Sequence, residues 1–139
     1  MNWKSTVLPY IACLFIASGG VPLAHAEPPV GARGSAAGVS CDTEEQARQY
    51  LDLWDGTNGM EVLTQINTAA GSPVCLAGQI LMELVAYHGY HSNKVGEWRI
   101  GEMNVYGVNV GGAVMRFREP IKQYTGFPVP KEPVRGSSI

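Results

Sequence analysis

Apolar positions along this chain follow two periods in succession, a helical one as far as Ala70 and an alternating one beyond Pro73. Ala47, Tyr50, Leu51 and Trp54 fall at i, i+3, i+4 and i+7 and so share one helical face. Asp42 stands at the N-cap position with Glu45 three residues on, and Glu44 and Glu45 suit the positive end of the helix dipole. The turn Asp55-Gly56-Thr57-Asn58-Gly59 ends the pattern, so the spacing predicts a helix over 43–54. Met60, Leu63, Ile66 and Asn67 continue at helical spacing and predict a second helix over 60–70, stopped by Gly71-Ser72-Pro73. Val62, Thr64 and Ile66 also alternate there.

From Val74 to Tyr87 the even positions Val74, Leu76, Ile80, Met82, Leu84 and Ala86 are apolar, which reads as a strand. Leu81 and Val85 on the other face leave a buried helix open as the alternative. A turn is expected over 88–94, then alternation from Val95 to Tyr106 with a phase slip at Gly101 that suggests a bulge. Residues 109–112 supply another turn and 113–118 a further strand, interrupted by Glu119-Pro120. Residues 121–129 read as a last strand of edge type, because proline cannot donate to a ladder. This order predicts an α+β fold: one or two N-terminal helices packed on a small three- to four-stranded antiparallel sheet. Tyr50 and Trp54 should meet strand residues.

The flanks differ in composition. Residues 1–26 combine Lys4, an apolar run from Val7 to Ala17, and the small-residue site Ala24-His25-Ala26, the pattern of a secretory signal peptide cleaved before Glu27. Pro9, Gly19, Gly20 and Pro22 break the run short of the roughly 20 residues a spanning helix needs, so no membrane span is expected after cleavage. Residues 27–40, rich in Pro, Gly, Ala and Ser, read as a flexible leader, 41–129 as a single domain, and 130–139 as a disordered tail. Without residues 1–26 the chain keeps nine Lys and Arg against twelve Asp and Glu, a net charge of −3. That balance argues against nucleic acid as a partner.

Cys13 belongs to the leader, which leaves Cys41 and Cys75 as an even pair in an exported chain and predicts a disulfide. Closing a loop of this length stabilises by roughly 3–4 kcal/mol in the chain-entropy account. A thiol nucleophile or redox pair is the weaker reading, since the spacing is far from C-x-x-C and no His is adjacent in sequence.

Three constellations could carry chemistry. His88 and His91, three apart, are weak metal candidates with Glu83 or Glu97 as a third ligand, though a structural zinc site wants four ligands. Arg116 and Arg118 share one strand face, with Lys122 and Arg99 on neighbouring segments, and forked hydrogen bonds from such a face suit an anionic glycan, a lipid headgroup or a partner's carboxylates. The bland counterpart is a solvated face with ion pairs to Glu97 and Glu102. Asp52 and Asp55 form the nearest carboxylate pair, at i and i+3 on a solvated helix end. Tyr87, Tyr90, Trp98 and Tyr106 line either a groove or the core. The chain holds no G-x-S-x-G, phosphate loop or H-E-x-x-H motif, and nothing in it calls for a cofactor.

Cys41-Asp42-Thr43-Glu44-Glu45-Gln46 at a helix start, the Asp55-Gly56 turn, Asn67 late in the second helix and Cys75 opening a strand together resemble a group of small exported proteobacterial proteins of unknown function. The resemblance covers 41–127 and implies an envelope protein of similar size, without an activity or a ligand. Two functions follow as expectations. The first is a non-catalytic periplasmic protein that binds an anionic envelope component or another envelope protein. The second is a small hydrolase or redox enzyme using His88, His91, a carboxylate or a free cysteine. The exported form should begin at Glu27, and the mass of the protein recovered from the exported fraction checks it; a chain retaining residues 1–26 would refute the leader.

Overall fold

The computed structural model describes residues 27–130, and residues 12–15 through their backbone pairing alone. In chain order the elements are β1 (Ala12–Phe15), β2 (Arg33–Cys41), α1 (Glu44–Leu53), α2 (Gly59–Ala70), β3 (Cys75–Ser92), β4 (Glu97–Val110) and β5 (Ala113–Pro128). β2, β3, β4 and β5 form an antiparallel meander, β1 adds to the outer edge of β2, and the meander curls until β2 and β5 meet at the bridge Cys41 to Tyr124. The α+β class holds. The helices, however, are not N-terminal to the sheet; they are an excursion between two of its adjacent strands.

α1 starts where its capping chemistry dictates. Thr43, not Asp42, is the N-cap: its hydroxyl accepts from the Gln46 amide at 3.1 Å, and the Gln46 side chain accepts from the Thr43 amide at 3.1 Å. Such a box is worth about 1 kcal/mol. Asp42 instead accepts from Gln123 on β5, and its amide donates to the Val74 carbonyl. Past Leu53 the Asp55 carboxylate gathers the Thr57 amide and hydroxyl and the Asn58 amide, which fixes the turn into α2. Thr57 thereby holds the Asp55 carboxyl below the ordinary range.

Residues 33–40 correct the expectation of a flexible leader. They are the front strand of the sheet, paired with β3 without a register shift from Arg33↔Glu83 to Cys41↔Cys75. Small residues gave no hydrophobic signal, but a ladder is held by backbone groups that every residue carries. The tail over 131–139 lies outside the described residues, as does the leader apart from 12–15.

The strands are longer than the alternation predicts. β3 runs through His88 to Ser92, so the turn is confined to the residues around Lys94. The helical alternative for 74–87 is thereby excluded. β5 is one strand across Glu119-Pro120, with the irregularity taken up between Val105↔Ile121 and Gly107↔Arg116.

Each face of the sheet buries its own core. On one, Val39, Cys41, Cys75, Trp98 and Ile100 pack against Ala47, Tyr50, Leu51, Trp54, Val62 and Ile66 of the helices, with Trp54 and Trp98 edge to face at 5.6 Å. On the other, Ala36, Ile80, Met82, Leu84, Met103, Val105 and Phe127 pack inside the curl. The phase slip at Gly101 is therefore a change of buried face rather than a bulge in β4, whose pairing with β5 runs unbroken through Ile100, Gly101 and Glu102. The bulges on either side of Gly101 lie opposite, in β3. Gly101 is required because a Cβ there would stand 2.5 Å from the Phe127 ring and 3.0 Å from Leu84. Gly101→Ala should cost about 1–3 kcal/mol by overpacking, read as a lower urea midpoint at unchanged slope; an unchanged midpoint would refute the account.

Candidate functional site

The expected basic face is divided by the strand register. Arg99 stands opposite Phe127, whereas Lys122 stands opposite Asn104 and Arg116 opposite Gly107. At about 3.3 Å per residue, Arg99 and Gly107 are roughly 26 Å apart along β4. Arg99 is structural: its guanidinium lies 3.9 Å from the Tyr87 ring centre and Nη1 donates to Glu27 at 3.0 Å. Lys122 pairs with Glu102 at 3.4 Å. Arg116 and Arg118 are exposed on the β4–β5 hairpin and meet no carboxylate among the described residues.

His91 docks α1 to the far end of β3, and His88 ties β3 to β4. His88 Nε2 lies 2.7 Å from Glu102 Oε1, and His91 Nε2 lies 2.6 Å from Asp52 Oδ1. Arg48 completes the contact by donating to the carbonyls of Tyr90 and His88 at 2.8 and 2.7 Å while paired to Glu44. Among the described residues no group of three or more His, Cys, Asp or Glu is placed to hold a metal ion. Cys41 and Cys75 are joined as a disulfide, so neither is a free thiol. Of the four aromatics, Trp98 is core, Tyr106 donates to Glu83 at 2.7 Å, and Arg99 covers Tyr87 and Tyr90.

Sequence reasoning missed a cavity of about 230 Å³ on the inner face of the curl, between the start of β3, the end of β2 and the β4–β5 hairpin. Ile80, Val105, Val108, Phe117 and Ile121 line it, with Gln123 and Ser40 as a polar end. The cavity has a local cause. Gly38 and Gly78 are cross-strand partners in its wall, so neither strand contributes a side chain there, and a Cβ on Gly78 would meet nothing within 4 Å. Their φ values of 149° and 155° lie in the region side chains rarely adopt, which favours glycine at both positions. Facing glycines 40 residues apart in sequence leave no local pattern.

The polar end is built and satisfied. Ser40 donates to Gln123 Oε1 at 3.0 Å, and Gln123 Nε2 donates to Asp42 at 2.7 Å. The rim is apolar: Leu76, Val110 and Ile121, all lining the cavity, are about half exposed, at 54%, 58% and 47%, with Val114 and Met115 exposed beside them. Contiguous apolar exposure of this kind marks an interaction site more often than an ordinary surface. Arg116 and Arg118 flank Phe117 in the same hairpin, so alternation sets them on the opposite face of β5.

No family model, curated protein or solved structure matches this chain.

The His88 contact, aided by Lys122 and opposed by partial burial, holds the Glu102 carboxyl below the ordinary carboxylate range. A depressed folded value gives stability that is complete above the unfolded range near about 4.3 and is lost as pH falls through the folded value. Urea unfolding of the protein and of Glu102→Gln between neutral and strongly acidic pH should show a gap that closes at the acid end; a gap that persists there would refute the assignment.

Proposed function

We propose that this chain is a non-catalytic binding module of the cell envelope, exported through its leader to the periplasm, whose ligand is an amphiphile with an apolar chain and an anionic head. The observation that carries the reading is the apolar cavity, open through an apolar rim, with two arginines in the same hairpin that meet no carboxylate among the described residues. Pockets that take a whole small molecule usually measure about 300–1,000 Å³. At about 230 Å³ this one suits the end of a chain rather than a ring system. Each buried methylene contributes about 0.8 kcal/mol, so a few suffice for selective uptake. The head would remain at the rim, and Arg116 and Arg118, which leave β5 on the face opposite Phe117, would reach it round the hairpin edge with planar forks for a carboxylate or phosphate.

The wider setting agrees with this reading. The disulfide suits an oxidising compartment, and among the described residues no helix is long and apolar enough to cross a membrane. The residues that suggested an enzyme have other work: the cysteines are bonded, His91 ties α1 to β3 and His88 ties β3 to β4.

Dodecanoic acid titrated into the exported protein should bind saturably, and Ile121→Glu, at a half-exposed lining position, should abolish binding without unfolding the chain. Arg116→Glu combined with Arg118→Glu should weaken the acid about tenfold, worth about 1.4 kcal/mol, while leaving dodecanol unchanged. Absence of saturable binding to the folded protein sinks the proposal; equal losses for acid and alcohol sink the assignment of the head.

A further inference from the structure

The outer edge of β2 is the one place where the leader enters the described structure. Ala12–Phe15 lie antiparallel along it in the register Ala12↔Ala37, Cys13↔Ala36, Leu14↔Ser35 and Phe15↔Gly34. The opposite edge of β2 is fully paired with β3, and closure against β5 reaches only Cys41↔Tyr124. Cleavage before Glu27 therefore removes the strand that covers residues 34–37 and leaves their outward amides and carbonyls without partners.

Exposed edges are normally blunted by charged residues, proline or bulges. Residues 34–41, Gly-Ser-Ala-Ala-Gly-Val-Ser-Cys, contain no charge and no proline, and their ladder to β3 has no register shift. The edge is thus suited to a further strand. Its inner-face positions Gly34 and Ala36 are small, and Ala36 is buried in the inner core. The register sets Phe15 opposite Gly34, so an incoming strand places a large apolar residue next to a position that fills no space itself. A second copy of β2 would bring only Gly, Ala and Ser to those places.

We propose that the processed protein takes up, along residues 34–37 of β2, an extended, uncharged segment of another polypeptide. The segment lies antiparallel and sets a large apolar residue opposite Gly34, where Phe15 of the leader strand stands. Backbone hydrogen bonds supply affinity in this mode and the alternate side chains supply selectivity. The inference rests on leader cleavage and is independent of the amphiphile site on the hairpin.

The test uses the processed protein and a synthetic peptide of residues 10–17 with solubilising lysines at both ends. Amide hydrogen exchange should slow about tenfold or more at the two of residues 34–37 whose N–H groups point away from β3. The same peptide N-methylated on its β2-facing amides should give no slowing. Three results would overturn the proposal: no slowing with the unmodified peptide, equal slowing with the N-methylated one, or edge amides already protected without peptide, whether in a dimer by sedimentation or in a monomer. An exported protein that retains residues 12–15 would overturn it as well, because the edge would then keep its own strand.

Discussion

The junction at Cys41 and Cys75 sets the geometry of the whole molecule. The two residues are ladder partners in β2 and β3, are bonded to each other, and enclose both helices in the loop of chain between them. Asn67 of α2 fixes the same point from the other side: its amide donates to the Cys75 carbonyl at 2.9 Å and its oxygen accepts from the Cys75 amide at 2.8 Å. Two such bonds contribute about 1 kcal/mol each when buried. Cys41 also faces Tyr124, so the residue that begins the helical excursion is the one that closes the curl. Loosening this point would release the helices and the sheet closure together.

From that junction the two faces take different roles. The helices cover the face around Trp98 and Ile100, where the hairpin tip is held by Asn93: its amide donates to the Leu51 carbonyl, and its oxygen accepts from Trp98 Nε1 and the amides of Val95 and Gly96. The other face turns inward on itself. Near Phe127 it is filled, to the point that Gly101 has no room for a methyl group, whereas near Gly38 and Gly78 it is left open. The inner face of the sheet thus passes from a packed core to a lined cavity. The side chains at the open end are apolar without being covered, which is a feature of a surface that meets something else.

α1 was legible because its information is local: a capping box, a 3.6-residue period and a glycine turn all lie within about one helix length. Even there the choice between Asp42 and Thr43 as cap depended on Gln123, a residue 81 positions away, which engages Asp42. The disulfide was legible for a different reason, since an exported chain with two remaining cysteines offers one pairing. The basic face was read from spacing, which carries no strand register. Arg116 and Lys122 do face nearby β4 positions, Gly107 and Asn104, but Arg99 belongs to a stack with Tyr87 of β3 that only the β3–β4 pairing reveals.

The sequence by itself determined the helices, the presence of antiparallel strands and the bond between Cys41 and Cys75, because propensity, periodicity and cysteine number act over short spans or admit one answer. Only the tertiary structure decided that residues 33–40 form a strand, that Gly38 faces Gly78, and that the sheet's edges meet at Tyr124. Those outcomes depend on which backbone lies beside which. A residue without a large side chain carries no sign of that in its own type, yet it fixes where space remains beside a sheet.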